Sequence, residues 1–148
     1  MRAFCTLNLQ SVIGLAAFSV IILASRIQKA DVIAERKANF RANAAAMRVI
    51  NAALGSGDFD VVITQATIID DWARALPKFF PENSDIGYTK ARADIWIDFG
   101  DFKSHASANE KAALTLTSTA KTGNASAAIS ALKQLGGTCK SCHNNFKY

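Results

Sequence analysis

The chain has 148 residues, with 17 Lys and Arg against 12 Asp and Glu and a formal net charge of +5. That length suits one compact domain, and a sequence half hydrophobic and only 20% charged is too apolar for a disordered chain. Two prolines and no run of alternating β-branched residues argue against an all-β fold, whereas Ala-rich stretches separated by Gly clusters point to helices.

Residues 1–30 have the pattern of an export signal. Arg2 supplies the positive start, and an apolar stretch runs from Val12 to Ala24, broken only by Gly14 and Ser19. It falls short of the ~20 residues that span a bilayer. Ile22-Leu23-Ala24, Leu23-Ala24-Ser25 and Gln28-Lys29-Ala30 each approximate the small-residue cleavage pattern, and an uncleaved anchor helix is the alternative reading. Cys5 leaves with a cleaved segment, so Cys139 and Cys142 are the mature cysteines. From Asp31 onward 14 basic residues face 12 acidic ones, a balance of +2 with no basic cluster to track phosphates. No nucleic-acid partner is expected.

Residues 31–148 divide into four helical segments when apolar positions are counted at three- and four-residue spacing. The first runs from Asp31 to Leu54 with Ile33, Phe40, Ala44, Met47 and Leu54 on one face. Gly55-Ser56-Gly57 ends it, and Asp58 is placed to cap the next. The second carries Phe59, Val62, Ala66, Ile69, Ala73 and Leu76, and Pro77 and Pro81 close it. The third begins near Ala93 and carries Ile95, Phe99, Phe102, Ala106, Ala113, Leu116 and Ala120 until Gly123. The fourth carries Ala125, Ala128, Leu132, Leu135, Cys139, Cys142 and Phe146. Short and moderate loops make neighbours antiparallel, so the expected architecture is all-α, an up-down four-helix bundle.

The chemistry-bearing motif is Cys139-Lys140-Ser141-Cys142-His143, a C-x-x-C-H sequence. Two thiols three apart on a helix share nearly one face, so each can add across one vinyl group of a haem. The following His143 then offers an imidazole nitrogen to the iron. Export to an oxidising compartment and covalent haem attachment share one explanation. A thioredoxin-like site would open a helix after a strand, but this motif lies late in a helix. A disulfide across the pair leaves His143 unexplained, and zinc would need a second ligand pair where only His105 remains.

With these residues the chain resembles the cytochromes c′ and their low-spin, methionine-ligated relatives. The resemblance runs from Ala30 to Tyr148. It rests on Glu35-Arg36-Lys37-Ala38-Asn39-Phe40, on Leu76-Pro77 through Phe80-Pro81-Glu82-Asn83-Ser84, on Ile95-Trp96 with Phe102-Lys103, and on the run from Thr138 to Lys147 around the motif. It implies one covalent haem c per chain, with Cys139 and Cys142 as thioether sites and His143 as proximal ligand and sole protein ligand to the metal. It further implies Arg36 near the haem carboxylates, Lys147 as the basic residue near the proximal face, and Phe40 at the distal position over the iron. The low-spin relatives carry a ligating Met there. Phe40 cannot ligate, so the resemblance implies five-coordinate, high-spin iron.

The function expected is therefore a periplasmic, redox-active haem protein that transfers electrons with periplasmic partners, binds NO or CO, or does both. Phe40 would select among ligands by crowding, and the lack of a distal hydrogen-bond donor would disfavour O₂. The alternative is a six-coordinate electron carrier with Met47 as sixth ligand. Met47 lies two turns from Phe40, about 10.5 Å along the axis, and reads more simply as a core residue. Peroxidase turnover would want a distal His, Arg or Glu, and the distal helix face offers none except Arg36, which the resemblance places near the haem carboxylates, so the chain is not expected to be an enzyme. His105 is expected on the solvent side of the third helix, and Trp72 and Trp96 in packing or at an interface. The resemblance also implies a homodimer site on the exposed side of the first two helices.

Overall fold

The computed structural model describes residues 32–148 with their side chains and residues 10–31 by backbone path alone. The expected export signal over residues 1–30 therefore lies outside the fully described residues. Helix α1 (Gln10–Ser56) is followed by α2 (Phe59–Ala75), a 3₁₀ turn (Leu76–Phe79), a single-turn α3 (Asp94–Ile97), α4 (Phe99–Lys121) and α5 (Ala125–Phe146). Among the described residues no helix is long and apolar enough to cross a membrane.

The helix ends follow from local chemistry. Gly57 adopts φ +75°, a left-handed turn that releases the chain from α1. The Asp58 carboxylate then accepts a hydrogen bond from the Val61 N–H at the start of α2. Gly123 at φ +69° and the Asn124 side chain, which accepts from the Ala127 N–H, do the same between α4 and α5. Pro77 stops α2 by lacking an N–H, and the chain tightens into the 3₁₀ turn. The expected third helix is in fact two. Asp98 has a non-helical backbone, and its side chain accepts from the Asp101 N–H, so it caps α4 and cuts off α3. A local capping preference outweighs the continuous apolar rhythm there.

Two core clusters reveal the antiparallel packing. Ala46, Ile50, Ala53 and Leu54 from the end of α1 meet Val62, Ala66 and Ile69 from the start of α2. Leu116 and Ala120 from the end of α4, with Ala128 and Leu135 from the start of α5, complete this closed end. The second cluster joins the end of α2 (Trp72) to α3 (Ile95), the start of α4 (Phe102, Ala106) and the end of α5 (Phe146). Starts pair with ends throughout, as an up-down bundle requires.

The buried stripe of α1 differs from the expected one. Ile33 and Leu54 are buried as expected, with Arg36, Ala46, Ile50 and Ala53, but Ala44 is exposed and Phe40 is 37% exposed. Both face a cavity rather than the closed core. On α5, Ala131 is buried while Ala125 is exposed at the first turn. Periodicity finds a helix face, but it does not distinguish a face that meets protein from one that lines a cavity.

Candidate cofactor site

At the end of the bundle away from the closed core lies a cavity of about 580 Å³. Its walls are apolar, with Phe40 and Ala44 from α1, Phe80 from the loop after α2, Ile95 from α3, Phe102 from α4 and Phe146 from α5. Cys142 and His143 on α5 also face it. Cations stand at its edge: Lys37, Arg41, Lys90 and Lys147 line it together with Arg36. The size falls within the range of small-molecule and cofactor sites. An apolar slot edged by cations suits a large flat macrocycle that carries carboxylates, so the residues present fit a haem.

Both cysteines are free and half-buried. Burial pushes the Cys142 thiol up to about 11, and Cys139 and Asp101 add to the rise. Burial also raises the Cys139 thiol, against the opposing pull of hydrogen bonds from Asn109 and Thr138. Neither thiol has the depressed pKa of a redox-active dithiol. The Asn109 amide of α4 donates to Thr138 Oγ1 at 2.8 Å and to Cys139 Sγ at 3.4 Å. Thr138 in turn donates to the Leu135 carbonyl at 2.7 Å, so both its hydroxyl functions are used and the turn before the motif is fixed.

His143 opens onto the cavity. Desolvation lowers its pKa, and the Lys147 charge one turn away lowers it further. The imidazole is thus held neutral, the form that coordinates a metal. Lys147 closes α5, where its N–H donates to the His143 carbonyl at 3.2 Å. It also pairs across a single antiparallel bridge with Ala91.

Arg36 is 2% exposed, unusual for an arginine. One terminal nitrogen donates to Ser84 Oγ at 2.9 Å and to the Phe79 carbonyl at 3.4 Å. The other donates to the Ser84 carbonyl at 2.7 Å and to Thr89 Oγ1 at 2.6 Å. Its guanidinium lies 4.5 Å from the Phe80 ring centre. Burial lowers its pKa, and Asp85 partly restores it. Arg36 therefore ties the loop between α2 and α3 onto α1, a structural use that the residue's identity alone did not reveal.

Phe40 meets the His143 ring edge-on with centroids 6.1 Å apart. Met47 lies elsewhere. It packs against the closed core, and its methyl carbon would touch a Cβ added at Gly136 at 3.9 Å. His105 corrects the expectation of a solvent-facing residue. Its side chain is only 17% exposed, packs edge-on against Phe146 at 5.4 Å and contacts Asn145 at 3.3 Å. The buried stripe of α4 keeps the counted phase, with Phe102, Ala106 and Ala113 buried; His105 lies at its flank, where the last turn of α5 covers it with Asn145 and Phe146.

A family model described as Cytochrome C′ matches residues 31–147 of the chain. The chain belongs to the cytochrome c′ family. It is 36% identical over 144 residues to the cytochrome c′ of Rhodospirillum rubrum, an alignment covering 92% of this chain and 95% of the relative. Among solved structures, cytochrome c prime from Shewanella frigidimarina superposes with a TM-score of 0.73 at 31% identity, covering 80% of this chain and 95% of that one. Cytochrome c′ from Rhodopseudomonas palustris gives 0.70 at 32% identity, covering 80% and 96%. As a cytochrome c′ the protein is a four-helix bundle carrying covalent haem c.

Several cytochrome c′ cavity residues went unread in the sequence. Phe80, Ile95, Phe102 and Phe146 are ordinary apolar residues there, and only the fold turns them toward one space. Trp96 has a specific partner set, since its indole N–H donates to the Phe80 and Pro81 carbonyls at 3.1 and 3.0 Å. It thereby fixes the loop that carries Phe80.

Proposed function

We propose that this cytochrome c′ is an exported periplasmic protein, its signal within residues 1–30 removed, whose iron is five-coordinate and high-spin and binds NO and CO. Cys139 and Cys142 are the thioether sites, and the neutral His143 imidazole is the proximal ligand. When bound, haem supplies a redox-active iron with an axial position to fill. The protein residues set what reaches that position. Phe40, which has no ligating atom, meets the His143 ring edge-on in the cavity wall, and this is the observation that carries the reading. It crowds the distal side and leaves the iron without a sixth protein ligand.

Other residues act around this pair. Arg36 keeps the loop wall closed and lines the cavity where the haem carboxylates would lie, among the cations Arg41 and Lys90. Lys147 keeps positive charge beside the proximal imidazole and so disfavours its protonation. The described cavity wall has no Asp, no Glu and no second His. The reading is an electron carrier and gas binder rather than an enzyme. A solved cytochrome c′ at 26% identity, TM-score 0.74, is described as having an unusual ligand-controlled dimer dissociation. We extend to this chain a homodimer and, for electron exchange, periplasmic redox partners.

A six-coordinate carrier with Met47 as ligand has less support, because Met47 packs in the closed core around Ala46 and Ile50. Absorption spectra of the purified holoprotein, oxidised and reduced, with and without CO, test the reading. A broad high-spin spectrum that sharpens on adding CO is expected. A low-spin reduced spectrum indifferent to CO would overturn it.

A further inference from the structure

The Trp72 side chain on α2 is not explained by packing alone. The residue is 7% exposed, yet its indole N–H has no hydrogen-bond partner. Buried donors left unpaired are rare in native proteins and call for a reason. Phe79 lies 5.0 Å from the indole, centre to centre, and Leu76, Phe80 and Phe102 belong to the same apolar cluster. A water bridging there would need two to four polar partners, which these neighbours do not supply. The other unpaired buried polar atom among the described residues is Asp70 Oδ1. It lies two positions earlier on the same helix, and such residues do not share a face, so the two orphans do not satisfy each other.

The position of the indole suggests an acceptor. Trp72 meets Phe40 edge-on at 5.3 Å, and Phe40 in turn meets His143 at 6.1 Å. Trp72 does not itself line the cavity; its unpaired donor belongs to the ring packed behind the Phe40 side chain, which does. We propose that Trp72 is a ligand-discriminating residue. A diatomic molecule entering opposite His143 displaces Phe40, and the Trp72 indole N–H then donates a hydrogen bond to its outer atom. The inference rests on the gas-binding reading above. It replaces the expectation, drawn from the sequence, of a distal side without a donor. A donor there favours polarised ligands such as NO and O₂ over CO, because the more negative outer atom accepts the stronger hydrogen bond.

The test is the infrared C–O stretch of the reduced, CO-bound holoprotein, compared between wild type and Trp72→Phe and between wild-type protein produced in H₂O and in D₂O. Phenylalanine keeps an aromatic ring and removes only the donor. The stretch is expected to move to higher frequency in Trp72→Phe and to shift with deuteration in the wild type. NO is expected to leave the variant about three- to tenfold faster, the effect of losing one hydrogen bond. If Trp72→Phe does not fold, Trp72→Leu, which also removes the donor, is compared with the wild type in the same way. CO binding with no shift in either comparison overturns the role of Trp72 and leaves the gas-binding reading intact. Failure of the wild type to bind CO overturns that reading, and this inference with it.

Discussion

The Phe40 ring on α1 lies edge-on to the His143 imidazole on α5, with 6.1 Å between centroids, although the two residues are separated by nearly the whole of the described chain. One side chain can coordinate a metal and the other cannot. That asymmetry sets up the expected spectroscopy of the protein.

Replacing Phe40 with Met puts a thioether opposite His143 at a position already open to the cavity. The iron of Phe40→Met is expected to turn toward low spin and to bind CO more weakly. An absorption spectrum identical to that of the wild type would show that Phe40 does not cover the iron.

His143→Ala removes the imidazole but leaves both cysteines. Haem is expected to stay attached through denaturation and gel electrophoresis, with an altered Soret band and a changed ferrous spectrum. An unchanged spectrum would exclude His143 as proximal ligand.

Arg36→Gln removes a guanidinium that makes four hydrogen bonds to Phe79, Ser84 and Thr89. Ser84 is fully buried, so its partners would be left unpaired. The expected loss is about 3 kcal/mol, on the scale of hydrogen bonds to a charged donor, read by denaturant unfolding of the holoprotein. Limited proteolysis should then cut first within the loop between α2 and α3.

Asp70 gives a pH dependence. Burial raises its pKa above the ordinary carboxylate value, and the Arg74 charge only partly offsets this, with Glu110 and Asp71 adding to the rise. A folded-state pKa above the unfolded one means that the native protein holds more protons between the two values, so stability falls as pH rises through that window. Unfolding free energy measured from the ordinary carboxylate range upward should decline through this group in the wild type. In Asp70→Asn that part of the slope should be absent.

The helices and their ends were legible in the sequence because they depend on neighbours in the chain. Gly57 with Asp58 is a turn-and-cap pair, and Gly123 a break, whose physics is complete within four residues. The same holds for C-x-x-C-H, since a three-residue spacing on a helix brings two thiols to one face wherever the helix goes. Asp98 was the local exception. Its capping role depends on one side-chain bond to Asp101, which an apolar count does not register.

What Arg36, Trp72 and His105 do could not be read this way. The Arg36 partners lie 43 to 53 residues away, the Trp72 donor is an orphan only because tertiary packing removed water from around it, and His105 is covered by Asn145 and Phe146 from the far end of α5. By itself the sequence determined a helical bundle and a C-x-x-C-H spacing that brings Cys139, Cys142 and His143 together on one helix, because periodicity and spacing are properties of a single helix. The tertiary structure decided which faces line a cavity and which donors remain unpaired, because burial and hydrogen-bond partnership belong to pairs of helices brought together.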